Sequence, residues 1–279
     1  LSLLPVVLGG SQVSYTIAQV LPDIGISLKV DTMGMVFALV SSFLWIITSA
    51  YSIGYMRSLK EHSQTRYFCF FAVSLSATIG VAFSANLLTM YLFYEMLSFA
   101  TYPLVTHHQD SEARNSGRKY LLYIVGSSIG LLLPAMLVIH QLTGSLEFAR
   151  QGVFSGNESP TLILVLLVVI LFGFAKAGIM PFHSWLPAAM VAPTPVSALL
   201  HAVAVVKVGV FCILRVTTGI FGTDLLNANG FGPIMAAIAA VTIITASVIA
   251  LSQDSLKGRL AFSTVSQLSY IVLGTALLS

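Results

Sequence analysis

The sequence predicts an all-α polytopic membrane protein, and three observations carry that expectation. Hydrophobic residues make up 57% of the 279-residue chain and charged residues only 8%, against roughly 25% charged in soluble domains. Apolar runs near the ~20 residues that span a bilayer recur along it. The alternating ten-residue strands of a membrane β-barrel do not. The net charge of +3 is spread over short basic clusters between the apolar runs. Such clusters set topology rather than bind nucleic acid.

Eight spans follow a leading stub at 1–9. Residues 10–30 are mixed, end in an amphipathic alternation and are placed at an interface. The helices are then expected over 31–56, 67–84, 86–106, 118–141, 160–188, 193–215, 231–252 and 258–278. The fifth is too long for a ~30 Å core if straight. Pro181 resolves this, because it cannot donate to the carbonyl of Ala177 and its ring crowds that carbonyl. A helix break near Lys176 is expected. Pro193 and Pro195 mark the turn into the next helix.

Threading the helices alternately sorts the basic residues. One side receives Arg57, Lys60, Arg66, Arg114, Arg118, Lys119, Lys257 and Arg259, and the other Lys29, Arg150 and Arg215. This bias places loops 57–66, 107–119 and 253–259 in the cytoplasm. The expected location is the inner cell membrane. The chain opens at Leu1 without a methionine and stops at Ser279 within an apolar run, so a fragment of a longer protein is expected.

Lys176 and Lys207 remain inside apolar stretches. A lysine at bilayer depth costs at least ~2.5–3.5 kcal/mol, so the default reading is a proton or ion path. Of the ten acidic residues, Glu95 alone sits mid-span, in YLFYEMLSFATYPLV. For Glu95 the alternative is a static salt bridge, a weak stabiliser in lipid. For the lysines it is snorkelling, which suits Lys207 near a helix end better than Lys176. His201 precedes Lys207 by six residues, roughly 240° around a regular helix, so the two would be successive stations rather than joint ligands. His201 is read equally as a relay or a packed histidine, and His183 as a relay or a cap of the broken helix. His107 and His108 are read as hydrated or as surface proton collectors. Lys257 is expected as an anchor at a helix start. Thr264, Ser266 and Gln267 form a wettable stripe behind it.

No phosphate-cradling glycine loop, GxSxG or Cys/His cluster able to hold haem, iron–sulfur or zinc stands in the sequence. Cys69 and Cys212 lie apart in apolar segments. No metal, cofactor or redox centre is expected, and the chain is not marked as an enzyme by itself.

Four stretches then carry a family resemblance. They are AKAGIMPFHSWLPAAMVAPTPVSALLHAVAVVKVGV at 175–210, LKVDTMGMVF at 28–37, YEMLS around Glu95, and DSLKGRLAFSTVSQLSY at 254–270. In order and spacing they resemble the antiporter-like subunits of Mrp-type cation/proton antiporters, respiratory complex I and membrane-bound hydrogenases. The flavour is nearest the D-type Mrp subunit and the M-type subunit of complex I. The resemblance implies inverted five-helix repeats with one broken helix. The first repeat would fill 67–215, after an N-terminal part at 1–66, and the second would be truncated within 216–279. It implies a proton relay of Glu95, Lys176, Lys207 and His201, with Asp31 opening a helix. His183, Lys257, Ser266 and Gln267 would be accessory.

It also implies other membrane subunits as partners, with protons and Na+ as the ions. The implied function is a proton-translocating subunit of a monovalent cation/proton antiporter. A redox-driven complex, a bicarbonate-uptake relative and a non-transporting scaffold stay open beside it. Ala188, where the family often has an acid, and Tyr94, where it has tryptophan, depart from the pattern without removing a proton carrier.

Overall fold

The computed structural model describes residues 3–9, 13–21 and 24–277. A short helix α1 (Leu4–Leu8) leads into strands β1 (Val13–Leu21) and β2 (Ile24–Val30). The helices α2 (Thr32–Ser58), α3 (Gln64–Ala82) and α4 (Leu87–Val105) follow. Then come α5 (Ser111–Thr143), α6 (Pro160–Gly173), the single turn α7 (Trp185–Ala188) and α8 (Thr194–Phe221). The described chain closes with α9 (Thr223–Asn229), α10 (Gly232–Leu251) and α11 (Leu256–Leu277).

Among the described residues, six helices are long and apolar enough to cross a membrane: α2, α3, α5, α8, α10 and α11. The fold is that of a multi-pass helical membrane protein. The helix expected over 160–188 is in fact the 14-residue α6, followed by irregular chain. The helix bearing Glu95, α4, falls outside the six.

On α10 the apolar side chains that face outward suit lipid. On α10, Val241, Ile244, Val248 and Leu251 form an exposed apolar stripe at helical spacing. Met235, Ala239, Thr242, Ala246 and Ala250 form the buried one. Small residues on that inner face allow close approach of a neighbouring helix, and α10 packs along α11.

Two compact units form. One comprises Leu1–Arg118 with Val191–Val208, the other Lys119–Met190 with Gly209–Ser279.

In the first unit the segment expected at an interface forms a β-hairpin. Its strands pair antiparallel from Val13↔Val30 to Leu21↔Ile24. The period-two alternation in the sequence is the strand signal. The hairpin is docked on the α3–α4 corner through backbone and side-chain bonds. Lys29 N donates to Phe83 O (2.6 Å) and Ala85 N to Ser27 O (3.0 Å). Ser27 N donates to Thr89 Oγ1 (3.0 Å).

Asn86 does three things at this corner. Its Oδ1 accepts from Thr89 N (2.8 Å), capping α4. Its Nδ2 donates to Gly25 O (2.8 Å) and Ser27 Oγ (3.1 Å). Asp31 caps α2 in the same way, accepting from Gly34 N at 2.8 Å. A cap and two donor bonds are lost together in Asn86→Ala. We expect that change to destabilise the full-length protein by about 2–3 kcal/mol. Asn86→Asp, which keeps the cap acceptor, should lose about half as much. Thermal denaturation in detergent checks the order.

Candidate functional site

In the first unit, α4 carries Glu95 at its middle. The helix presents Tyr94, Leu97 and Ser98 to the interior, while Met96 and Phe99 face outward. Both carboxylate oxygens of Glu95 are buried and accept no hydrogen bond from the protein. Burying polar atoms without a hydrogen-bond partner is costly.

His201 and Lys207 lie on α8, which is not the regular helix expected over 193–215. An α turn at Thr194–Ala198 gives way to a π turn at Leu199–Val203, and Ala204 leaves helical dihedrals (φ −126°, ψ −76°). The α pattern resumes at Val205. His201 stands in the π turn and Lys207 in the first turn after the interruption, both partly buried. The 240° separation of a regular helix therefore does not apply to them. π turns of this kind concentrate at functional sites.

In the second unit, α6 ends at Gly173 and the chain stays non-α up to Trp185. The break thus begins before Lys176, whereas Pro181 alone places it one turn later. Lys176 sits on a 3-10 turn, Ala175–Ala177, and is fully buried (0% exposed). Gly178 follows at φ 73°, a left-handed conformation that an L side chain rarely adopts. Trp185 Nε1 donates to Ala175 O (3.0 Å), so the buried indole closes the loop around the lysine turn. Met180 N donates to Thr242 Oγ1 of α10 (3.3 Å).

The accessory candidates are near this loop in the same unit. The His183 ring lies 6.0 Å from the Phe262 ring on α11, and its Nδ1 is buried without a hydrogen bond. Its carbonyl accepts from Leu186 N (3.0 Å), starting α7. Lys257 Nζ donates to Met190 O at 3.4 Å, tying α11's start to the end of the broken segment. Ser266 is buried, with Oγ 2.9 Å from Ser247 Oγ. Gln267 is exposed and faces away from that stripe.

So Glu95, His201 and Lys207 share one unit, and Lys176, His183, Lys257 and Ser266 the other. One group escaped the sequence altogether. His107, expected to be hydrated, is fully buried, and with His62 it meets Glu61. Their ligand atoms lie within 4.8 Å of one another, a cluster that the sequence reading did not anticipate. The signal available was modest: an acid–histidine pair at 61–62 and a histidine pair at 107–108, in two loops that the topology places on one side.

The chain is thus a multi-pass helical membrane protein that buries a lysine beside an interrupted helix and an acid at mid-helix. A family model described as NADH:quinone oxidoreductase/Mrp antiporter, TM, matches residues 84–279. The chain belongs to that family. Na(+)/H(+) antiporter subunit A1 of Staphylococcus aureus strain JH9 is 33% identical over 276 residues, covering 98% of this chain and 34% of that protein. The counterpart from strain Newman gives the same values. The chain therefore spans about a third of the length of the curated relatives it matches. These relatives carry the name subunit A1, where the sequence motifs lean toward the D type.

The fold matches a chain of the Mrp complex from Dietzia sp. DQ12-45-1b with a TM-score of 0.82 at 24% identity, covering 96% of this chain and 29% of that one. A chain of the archaeal membrane-bound sulfane sulfur reductase, a respiratory membrane complex, gives 0.80 at 24%, covering 94% and 53%.

Gly209 lets α8 backbone press on the lysine turn: a Cβ there would lie 2.2 Å from Ala177 N and 2.5 Å from Lys176 C. Backbone atoms cannot swing aside. Gly209→Ala should therefore destabilise by about 1–3 kcal/mol through overpacking and displace the Lys176 turn. Gly54→Ala, also inside a helix but with nothing within 4 Å, is the control and should stabilise by up to about 1 kcal/mol. Thermal denaturation of the two variants side by side checks the difference.

Proposed function

We propose that this chain is the proton-translocating part of a membrane subunit in a multisubunit monovalent cation/proton antiporter. The observation that carries the reading is Lys176, fully buried on an interrupted helix. Broken backbone at membrane depth is tolerated where it is buried in protein or lines a water-filled path. Titratable groups in such places mark ion routes. Glu95, with two buried and unsatisfied oxygens, supplies the matching acid.

In this reading Glu95 and Lys176 are the principal proton carriers, and His201 and Lys207 pass protons along α8. His183 and the hydroxyls of Ser266 and Ser247 offer wettable stations, and Lys257 holds the end of the broken segment. Gln267, exposed, is assigned no step. Residues 67–215 form the first five-helix repeat. The names of the relatives, Na(+)/H(+) antiporter subunits, support Na+ as the exchanged ion and other membrane subunits as partners.

A second reading is favoured by the family description, which also covers NADH:quinone oxidoreductase. There the same module would be driven by redox chemistry in partner subunits. Proton movement in vesicles, with an imposed Na+ gradient or with an added electron donor, separates the two.

Under either drive, Lys176→Ala and Glu95→Gln in the assembled full-length complex should each reduce proton transport about 100-fold or more, the lower range for a lost proton-transfer group. Assembly should be intact by gel filtration. Wild-type rates from a folded Lys176→Ala complex would leave both residues structural.

We place loops 57–66, 107–119 and 253–259 in the cytoplasm, in the cell membrane. Arg114 is exposed. Arg114→Cys in a Cys69→Ser background should react with a membrane-impermeant maleimide in inside-out vesicles and not in right-side-out ones. The reverse pattern would invert the topology.

A further inference from the structure

The α2–α3 loop and the α4–α5 loop meet around one carboxylate. Glu61 Oε2 lies 3.7 Å from His107 Nε2, 3.9 Å from His62 Nδ1 and 3.9 Å from His108 Nδ1. Glu61 is mostly buried, and His62 and His108 are partly open to solvent. One ligand atom each of Glu61, His62 and His107 falls within 4.8 Å of the others.

Two features point to a cation there. First, His107 is fully buried, yet neither ring nitrogen has a hydrogen-bond partner. Its Nε2 faces the carboxylate.

Second, His62 Nε2 stands 3.0 Å from the carbonyl of His107. A carbonyl only accepts, so Nε2 carries the proton, and in neutral His62 the lone pair on Nδ1 faces Glu61. Two acceptors then confront each other unless a positive species lies between them. A histidine that donates one nitrogen to a backbone carbonyl and offers the other is the usual arrangement of a metal-ligating imidazole.

Arg66 opposes a cation, but its Nη2 is engaged with the His107 carbonyl at 3.3 Å.

We propose that Glu61, His62 and His107 form a Zn2+ site that clips the α2–α3 loop to the α4–α5 loop. The ligand chemistry selects the metal. Imidazole suits zinc, whereas Mg2+ and Ca2+ take oxygen ligands. Zn–N and Zn–O bonds near 2.0–2.2 Å put tetrahedral ligands roughly 3.4 Å apart. The gaps of 3.7 and 3.9 Å close to that with side-chain shifts of a few tenths of an ångström. His108 Nδ1, or water, supplies the fourth position.

The test uses the assembled full-length complex, stripped with chelator and titrated with Zn2+. The expected result is one Zn2+ per chain that disappears from the Glu61→Gln variant. X-ray absorption should give a nitrogen/oxygen shell with imidazole scattering. Hydrogen exchange at 57–66 and 106–110 should slow on adding Zn2+. His62→Ala and His107→Ala should each weaken binding by at least about 10-fold, the lower bound for losing even a group that only supports a ligand. His62 is 51% exposed, so its variant keeps the test open if His107→Ala fails to fold. Unchanged Zn2+ affinity in both Glu61→Gln and His62→Ala, or sulfur in the metal shell, would overturn the site.

Discussion

Backbone satisfaction governs the second unit. Where a chain leaves the helix inside an apolar environment, each freed N–H and C=O needs a new partner, because no water replaces the lost one. Between Gly173 and Trp185 the partners are specific. Ala177 N finds Phe174 O, Gly178 N finds Ala175 O, and Phe182 N finds Ile179 O. Met180 N reaches across to Thr242, and Ala175 O receives the Trp185 indole. Pro181 has no donor to satisfy. The buried position of Lys176 depends on this accounting, since the lysine turn is held by its neighbours' bonds rather than by a helix ladder. The demands on Gly178 and Gly209 follow from it: one supplies the left-handed turn, the other the room for α8 to press close.

The first unit solves the same problem with caps. Asp31 and Asn86 each close a helix start with a side-chain oxygen, and Asn86 uses its amide nitrogen to hold the hairpin on that cap. Strand edges and helix ends, the two sources of unpaired backbone groups, are thereby brought together and paired against each other. Serine and threonine do similar work along the spans. Ser52, Ser74, Thr78, Ser84 and Thr101 each return their hydroxyl to a carbonyl one turn back.

Most of the spans were legible because apolar length is a one-dimensional signal. The irregular parts were legible only in part. Pro181 announces a break, but α6 already stops at Gly173, and the Trp185–Ala175 bond that closes the turn is a tertiary contact. The π turns in α8 leave no proline or glycine signature at 199–203, and a regular helix was the natural expectation. The alternation in 13–30 was seen, yet its pairing partner was not, because a hairpin is defined by two segments at once. Glu95, Lys176 and Lys207 stood out as charges in apolar runs. Glu61, His62 and His107 did not, since in the sequence they are ordinary loop residues separated by 45 positions.

The two principal candidates, Glu95 and Lys176, sit on backbone that is held in different ways. Glu95 rides the middle of a capped α-helix, where moving the carboxylate means moving several turns or changing its rotamer. Lys176 rides a fully buried 3-10 turn held by tertiary bonds rather than by a helix ladder. A coupling device needs one element that stays and one that shifts. The proposed clip fits the first role, because Glu61 and His62 follow α2 and precede α3 while His107 follows α4 directly. Tying those ends together would stiffen the helix that carries Glu95.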